Sequence, residues 1–446
     1  MHLRILIPTL LVILVSALPA RAVDVQRVVS PGGIEAWLVE DHSNPIISLD
    51  LAFVGGSALD PAGKEGLANM VSALLDEGAG EIDSQAFQEK LANNSIQLSF
   101  SASQDTFEGS LRTLTENRDL AFELLRLAVS EPRFDPEPVD RIRSQLLAIL
   151  RDREEDPNTI AGRELIGLFY PDHPYGRARD GTPETVAGLT QDDLKGFVAK
   201  RFSRGNIKVG VVGDITPEEL GRLLDVALLG LPEKAAPSEI AEVRPQNLGE
   251  VLVIEKPIPQ SVVIFGHEGI KREDPDFYAA YVLNHILGGG SFSSRLYQEV
   301  REQRGLAYSV YSFLRPMDYS ALYLGGVATA NPRVGESLDI IRKEWARMAE
   351  EGPSEEELNA AKVFLTGSYP LRQRSSGRIA GMLLGIQLGE LGIDYINQRN
   401  DFIDTVSLDD VRRVAERLLQ EDKLTVVIVG QPEGVEATRV IKADGS

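Results

Sequence analysis

The two halves of this chain end in the same way, and that repetition constrains the fold more than any other feature. TQDDLKGFVAKRFSRGNIKVGVVGDITPEEL starts at Thr190, and SLDDVRRVAERLLQEDKLTVVIVGQPEG starts at Ser407. They align without a gap: Asp192-Asp193 fall on Asp409-Asp410, and Gly213 falls on Gly430. Each opens on a hydroxyl residue followed by acids, the signature of a helix start, where a side-chain oxygen accepts a free backbone N–H. Leu194, Phe197, Val198 and Phe202 then form an apolar stripe at helical spacing, as do Val411, Val414, Ala415 and Leu418. A β-branched run follows each helix, Ile207–Val212 and Leu424–Val429, and reads as a strand.

The halves also begin alike. A strand (Ile46–Val54 or Ser261–Gly266) leads through a loop to a helix (Glu65–Leu75 or Pro275–Leu287). Further helices are expected at Asp119–Val129, Pro136–Arg153 and Arg333–Glu350. Between the halves, Leu231–Gly249 is rich in Pro, Ala and charge with few large apolar residues, so it reads as an exposed linker. The chain thus divides into residues 23–230, a linker at 231–249, and residues 250–446. Residues 23–230 and 250–446 are two copies of one α/β unit, and tandem duplication of this kind suggests a clamshell with its cleft between halves.

The N-terminus reads as an export signal. Arg4 makes a basic start, Ile5–Leu18 is apolar apart from Pro8, Thr9 and Ser16, and Ala20-Arg21-Ala22 fits a small-x-small cleavage site. The apolar run is shorter than the roughly 20 residues a membrane span needs. Residues 1–22 are therefore expected to be removed near Ala22, leaving an exported, periplasmic or similar, protein with no membrane association. The sequence has no cysteine, which excludes disulfides, thiolate metal sites and cysteine nucleophiles. The formal net charge is −21 and no basic stripe is present, which argues against nucleic-acid binding.

Two motifs carry the chemistry. The first is GSALDPAGKEGLANMVSALLDEGAG, from Gly56. It resembles the opening of the pitrilysin/insulinase-type zinc peptidases, where Gly-Ser, an acid and a Pro lead into a helix bearing G-L-A-H-x-x-E-H. In that motif two imidazoles one turn apart reach one Zn²⁺, and the Glu acts as base on the metal-bound water. Here Asn69 stands at the first ligand position, Ser72 at the base and Ala73 at the second ligand. The resemblance puts the third ligand, a Glu, within Gln145–Arg151, and QLLAILR contains none. Amide and hydroxyl groups bind Zn²⁺ poorly, and Ala has no donor at all. No metal is expected in this chain. His42, His173, His267 and His285 are scattered without ligand spacing, and His173, in YPDHPYG, reads as structural. Glu65, Asp76 and Glu77 read as a helix cap and helix end.

The second motif, LGGGSFSSRLYQEVREQRGLAYSV from Leu287, resembles the Gly-rich turn, Ser-Ser-Arg-Leu and Arg/Tyr pair of the same family. Gly288-Gly289-Gly290 reads as a tight turn, since no P-loop or dinucleotide spacing accompanies it. In the family, an Arg and a Tyr seven residues on reach across the cleft and donate to the scissile carbonyl or its oxyanion. Arg301 and Tyr308 have that spacing.

The resemblance implies an α+β fold of two homologous domains, each a mainly antiparallel sheet with helices packed on one face, forming half of a clamshell. It implies a chain inactive alone: the non-zinc-binding partner of an exported heterodimeric zinc metalloendopeptidase. Zinc would sit in a homologous H-x-x-E-H subunit, and Arg301 and Tyr308 would act on a peptide in the shared cleft. The alternative is a non-catalytic peptide-binding or scaffold protein of the same fold, holding an extended peptide by strand addition.

Overall fold

The computed structural model describes residues 23–442. The expected signal segment, residues 1–22, lies outside them. Among the described residues, twelve strands form two six-stranded sheets. The first half contributes β1 (Gln26–Val29), β2 (Glu35–Glu40), β3 (Ile46–Val54), β4 (Gln97–Ala102), β5 (Thr106–Leu114) and β6 (Ile207–Gly213). The second half contributes β7 (Val251–Glu255), β8 (Gln260–Glu268), β9 (Ala307–Pro316), β10 (Ala321–Ala330), β11 (Thr425–Gly430) and β12 (Arg439–Lys442).

The strand orders are β1-β2-β6-β3-β5-β4 and β12-β7-β11-β8-β10-β9. From the second position onward they correspond strand for strand: β2 with β7, β6 with β11, β3 with β8, β5 with β10 and β4 with β9. In both sheets the second and third strands are parallel (β2 with β6, β7 with β11), and the pairs from there to β4 or β9 are antiparallel. The duplication read from the ends of the halves therefore extends through each sheet. The outermost strands break it, since β1 runs antiparallel to β2 whereas β12 runs parallel to β7.

The repeated helix starts form as their residues dictate. Thr190 accepts from the Asp193 N–H while the Asp193 carboxylate accepts in return from Thr190 N–H, and Ser407 and Asp410 do the same. These reciprocal caps begin the helices Gln191–Arg201 and Leu408–Leu418 and satisfy backbone donors that would otherwise be orphaned. The predicted stripes point inward: Leu194, Phe197 and Phe202 in the first half, Val411, Val414 and Leu418 in the second, are all buried. Each joins the core between a sheet and its own helices.

Each sheet's other face is covered by a helix from the opposite half. The helix Pro157–Phe169 of the first half lays Ala161, Leu165 and Phe169 on Leu252, Leu324 and Val427 of the second sheet. The helix Ser376–Leu388 of the second half lays Ala380, Leu383 and Ile386 on Trp37 and Val212 of the first. Gly210 of β6 makes this second contact possible: a Cβ there would stand 2.7 Å from the Ala380 carbonyl oxygen. The buried Gln387 amide donates to the Val209 carbonyl at 2.9 Å. On the reciprocal side the buried Tyr170 and Ser320 hydroxyls are 2.8 Å apart. The halves are thus interlocked by exchanged helices, with a crevice of about 410 Å³ between them walled by Leu165, Tyr311, Phe313 and Arg315.

Residues 231–249 contain no helix or strand. Part of the segment is anchored: Ile240, Val243 and Leu248 pack against the interface core, and the Val243 N–H donates to the Tyr319 carbonyl. The helix expected at Glu65–Leu75 is shorter, Leu67–Ser72. Gly66, in a left-handed conformation (φ 89°), begins it late, and residues 73–77 continue in tighter turns. Among the described residues no helix is long and apolar enough to cross a membrane.

Candidate functional site

The helix Leu67–Ser72 is set by a buried carboxylate. Asp60 accepts from the Gly66 and Ala68 N–H groups, both at 3.1 Å, at the positive end of the helix. Asp60 is 3% exposed, and burial pushes its pKa up to about 7 despite these hydrogen bonds. The cap turns Asn69, Ser72 and Ala73 toward one pocket of about 530 Å³. The helix Pro136–Glu155 closes another wall of it with Leu146, Ile149 and Leu150, which fall in the segment where the third ligand was sought.

Zn²⁺ does not fit this set of residues. The Ser72 hydroxyl donates back to the Asn69 carbonyl at 2.8 Å, Ala73 has no donor, and the facing helix presents Leu146, Ile149 and Leu150 with the cationic Arg153, none of them a ligand for Zn²⁺. Two carboxylates line the pocket, and both already have partners: Glu108 accepts from the Thr106 hydroxyl, and Asp180 pairs with Arg153 and Arg179, which line the same pocket. Among the described residues no group of three or more His, Asp or Glu could hold a metal ion. The flanking acids are also occupied. Glu77 pairs with Arg141 at 2.5 Å, and Asp76 accepts from Gln88. His173 accepts from the Tyr175 N–H and contacts the Ala241 carbonyl through its other nitrogen.

The second motif is built around a loop that presses on β9. His285–Gly289 forms a π-helical turn continuing the helix Phe277–Asn284. Gly288 is there because a Cβ would meet the Ser312 Oγ of β9 at 2.4 Å, so the sequence expectation of a simple tight turn gives way to a close approach between loop and strand. Ser312 in turn donates to Asn284 Oδ1 at 2.9 Å, in a buried position. Beyond the glycines, Arg295 makes a two-pronged ion pair with Glu357 at 2.6 and 2.7 Å. Leu296 and Val300 are fully buried in the second core. These anchors hold the π-helical turn Tyr297–Glu302, which carries Arg301.

Arg301 and Tyr308 come together. The Arg301 guanidinium lies 4.6 Å from the Tyr308 ring centroid and 4.8 Å from that of Tyr297, so it is sandwiched between two rings. Tyr308 sits in a β-bulge: Thr329 of β10 pairs with Ala307 and Ala328 with Ser309, which leaves Tyr308 without a partner. A bulge re-aims the extra side chain, and Tyr308 is 81% exposed as a result. Tyr297 was not among the residues singled out in the sequence. Its position four residues before Arg301 puts both on one face of a helical turn, which is the signal that could have found it.

The Arg/Tyr motif does not line the pocket of the metal-motif helix. Every residue lining the Asn69 pocket comes from the first half, and neither Arg301 nor Tyr308 is among them. The pocket does border an open sheet edge, because β4 ends the first sheet and supplies Ser101 and Ala102. Its counterpart β9, which carries Tyr308, ends the second.

Family comparison agrees with this anatomy. The insulinase (peptidase family M16) model matches residues 36–182, and the peptidase M16 inactive domain model matches residues 188–364. The non-peptidase homolog YmxG of Helicobacter pylori is 30% identical over 396 residues, covering 87% of this chain and 90% of that protein. An uncharacterized zinc protease of Streptomyces coelicolor is 30% identical over 344 residues, 74% of this chain and 72% of that one. The crystal structure of a peptidase M16 inactive domain from Pseudomonas fluorescens superposes with a TM-score of 0.86 at 29% identity, over 93% of this chain and 99% of that chain. A protease from Helicobacter pylori has the same fold, with a TM-score of 0.82 at 20% identity over 92% and 100% of the two chains.

Proposed function

This chain belongs to the insulinase (M16) peptidase family, and from that premise we propose that it is the non-zinc-binding partner subunit of an exported heterodimeric zinc metallopeptidase. Its role is to complete a peptide cleft and to supply Arg301 and Tyr308 to the scissile carbonyl of a peptide held at the zinc of a homologous H-x-x-E-H subunit. One observation carries the reading. The chain holds an Arg/Tyr pair whose Tyr sits on an outward-aimed bulge, while its own metal-motif pocket lacks imidazoles and unpartnered carboxylates and is lined by neither member of the pair.

The chemistry suits the residues. A carbonyl under attack develops negative charge, and a fixed guanidinium and a phenol O–H are donors that stabilise it without reorganising. The rings of Tyr297 and Tyr308 restrain Arg301, so less side-chain freedom is lost when it engages a carbonyl. Zinc, in this reading, is the partner's alone. The Helicobacter pylori relative is a non-peptidase homolog, which supports inactivity of the isolated chain.

A second reading, a peptide-binding or scaffold protein without a catalytic partner, is favoured by the same sheet edges. β4 and β9 end their sheets, and each could take an extended peptide as an added strand. Co-expression with an exported H-x-x-E-H homologue, followed by size-exclusion chromatography and a peptidase assay on the complex, separates the two. The partner reading predicts a stable heterodimer that cleaves peptide. The scaffold reading predicts peptide binding by this chain alone and no such complex.

A further inference from the structure

An arginine–tyrosine pocket lies elsewhere in the second half, sharing no lining residue with the Asn69 pocket and including neither Arg301 nor Tyr308. It is a surface pocket of about 270 Å³, small beside the roughly 300–1,000 Å³ of ordinary small-molecule sites. Three arginines line it, Arg272, Arg372 and Arg399, and no carboxylate does. That is unexpected in a chain of net charge −21, most of whose buried or half-buried guanidinium groups elsewhere are matched by acids.

Arg399 is the informative member. It is only 5% exposed. Its hydrogen bonds, to the Leu365 carbonyl at 2.8 Å and Asn400 Oδ1 at 3.1 Å, both leave from Nη1. The rest of its charge is met by ring faces, with Tyr369 at 4.7 Å and Tyr281 at 5.6 Å. Arg272 repeats the arrangement. It lies 4.1 Å over Phe277, and its Nη2 donates to the Tyr278 and Tyr395 hydroxyls at 2.9 and 3.0 Å. Neither guanidinium has a carboxylate partner among the described residues. A guanidinium withdrawn from water without a counter-ion is costly, and ring faces offset only part of that cost. The Tyr278 and Tyr395 hydroxyls both accept from Arg272, and no carboxylate lines the pocket beside them.

We propose that this pocket binds a small organic oxyanion, a carboxylate or phosphate monoester on a flat apolar body. The oxyanion would lie between Arg272 and Arg399, with Arg372 at the rim, and the body would stack among the tyrosines against Met382 and Ile386. The site is independent of the partner-subunit reading, since it needs neither a second chain nor peptide cleavage.

The test is isothermal titration of the full chain with benzoate, with phenyl phosphate and with benzamide, the neutral counterpart of benzoate. Saturable one-to-one binding is expected for at least one of the two anions. Tighter binding of phenyl phosphate identifies a phosphate site, and tighter binding of benzoate identifies a carboxylate site. Benzamide should bind at least about tenfold more weakly than the better anion, the equivalent of about 1.4 kcal/mol. Arg272→Gln should weaken the anion at least tenfold, and so should Arg372→Gln, a change at an exposed position that leaves the fold intact by circular dichroism. No saturable anion binding up to about 10 mM, equal binding of benzamide, or unchanged affinity in both variants would each overturn the assignment.

Discussion

The Arg301 guanidinium stands 4.6 Å from the centre of the Tyr308 ring, although the two residues belong to different elements, a π-helical turn and a bulged edge strand. The contact orients both groups outward from the same patch of surface. It also means that removing either ring or charge changes the setting of the other. Conservative substitutions are therefore the informative ones.

The metal-motif helix predicts a chain without zinc. Asn69, Ser72 and Ala73 face Leu146, Ile149 and Leu150 across the pocket, and no imidazole or free carboxylate stands among them. Elemental analysis after mild chelation should find well below one zinc per chain. About one tightly held zinc would contradict this account of the pocket.

Asp60 predicts a pH-dependent stability. Its folded-state pKa, about 7, lies above the ordinary value near 3.8. Between those values the native state keeps a proton that the unfolded chain releases, so this group's contribution to stability falls as pH rises through that window. Asp60→Asn keeps an acceptor for the helix N–H groups and removes the titration. From pH 5 to pH 8 the variant should gain on wild type by roughly 1–3 kcal/mol in denaturant unfolding. Parallel stability profiles would show that Asp60 is ionised in the folded protein throughout.

The exchanged helices predict a sensitive position at Gly210. A side chain there would press on the Ala380 carbonyl and on Leu383. Gly210→Val should destabilise the chain by about 1–3 kcal/mol, the usual cost of overpacking. Urea unfolding measures it. An unchanged midpoint would mean that the helix Ser376–Leu388 does not dock on β6 as described.

Much of the fold was legible because its signals are local. Thr190-Asp193 and Ser407-Asp410 cap helices at the expected residues, and the apolar stripes behind them face the core. What was not legible depends on distant partners. Leu165 and Leu383 read only as apolar positions on helices, and nothing local says that each covers the other half's sheet. The site divides in the same way. Arg301 and Tyr308 stand out only through the resemblance of the whole segment from Leu287 to the family motif, since an Arg and a Tyr seven residues apart carry no signal of their own. The bulge that turns Tyr308 outward depends on the register of β10, and Tyr297, the second ring around Arg301, carries no signal in the sequence beyond its place four residues before Arg301.

The central claim is that Arg301 and Tyr308 act on a peptide held at another chain's zinc, and the most direct measurement is turnover by a reconstituted complex. An H-x-x-E-H partner is mixed with wild-type chain, Tyr308→Phe, Arg301→Lys or the double variant Arg301→Ala/Tyr308→Phe. Complex formation is verified by chromatography, and kcat and KM are measured on a short fluorogenic peptide. The wild-type mixture should be active and each chain alone nearly inactive. Tyr308→Phe, which deletes only a hydroxyl, should lower kcat by about 10²–10³ with a smaller effect on KM, the loss typical of one oxyanion donor. Arg301→Lys should not restore full activity, because the planar fork is lost. Wild-type turnover from an intact complex carrying the double variant, or a partner as active alone as in the mixture, would contradict the account.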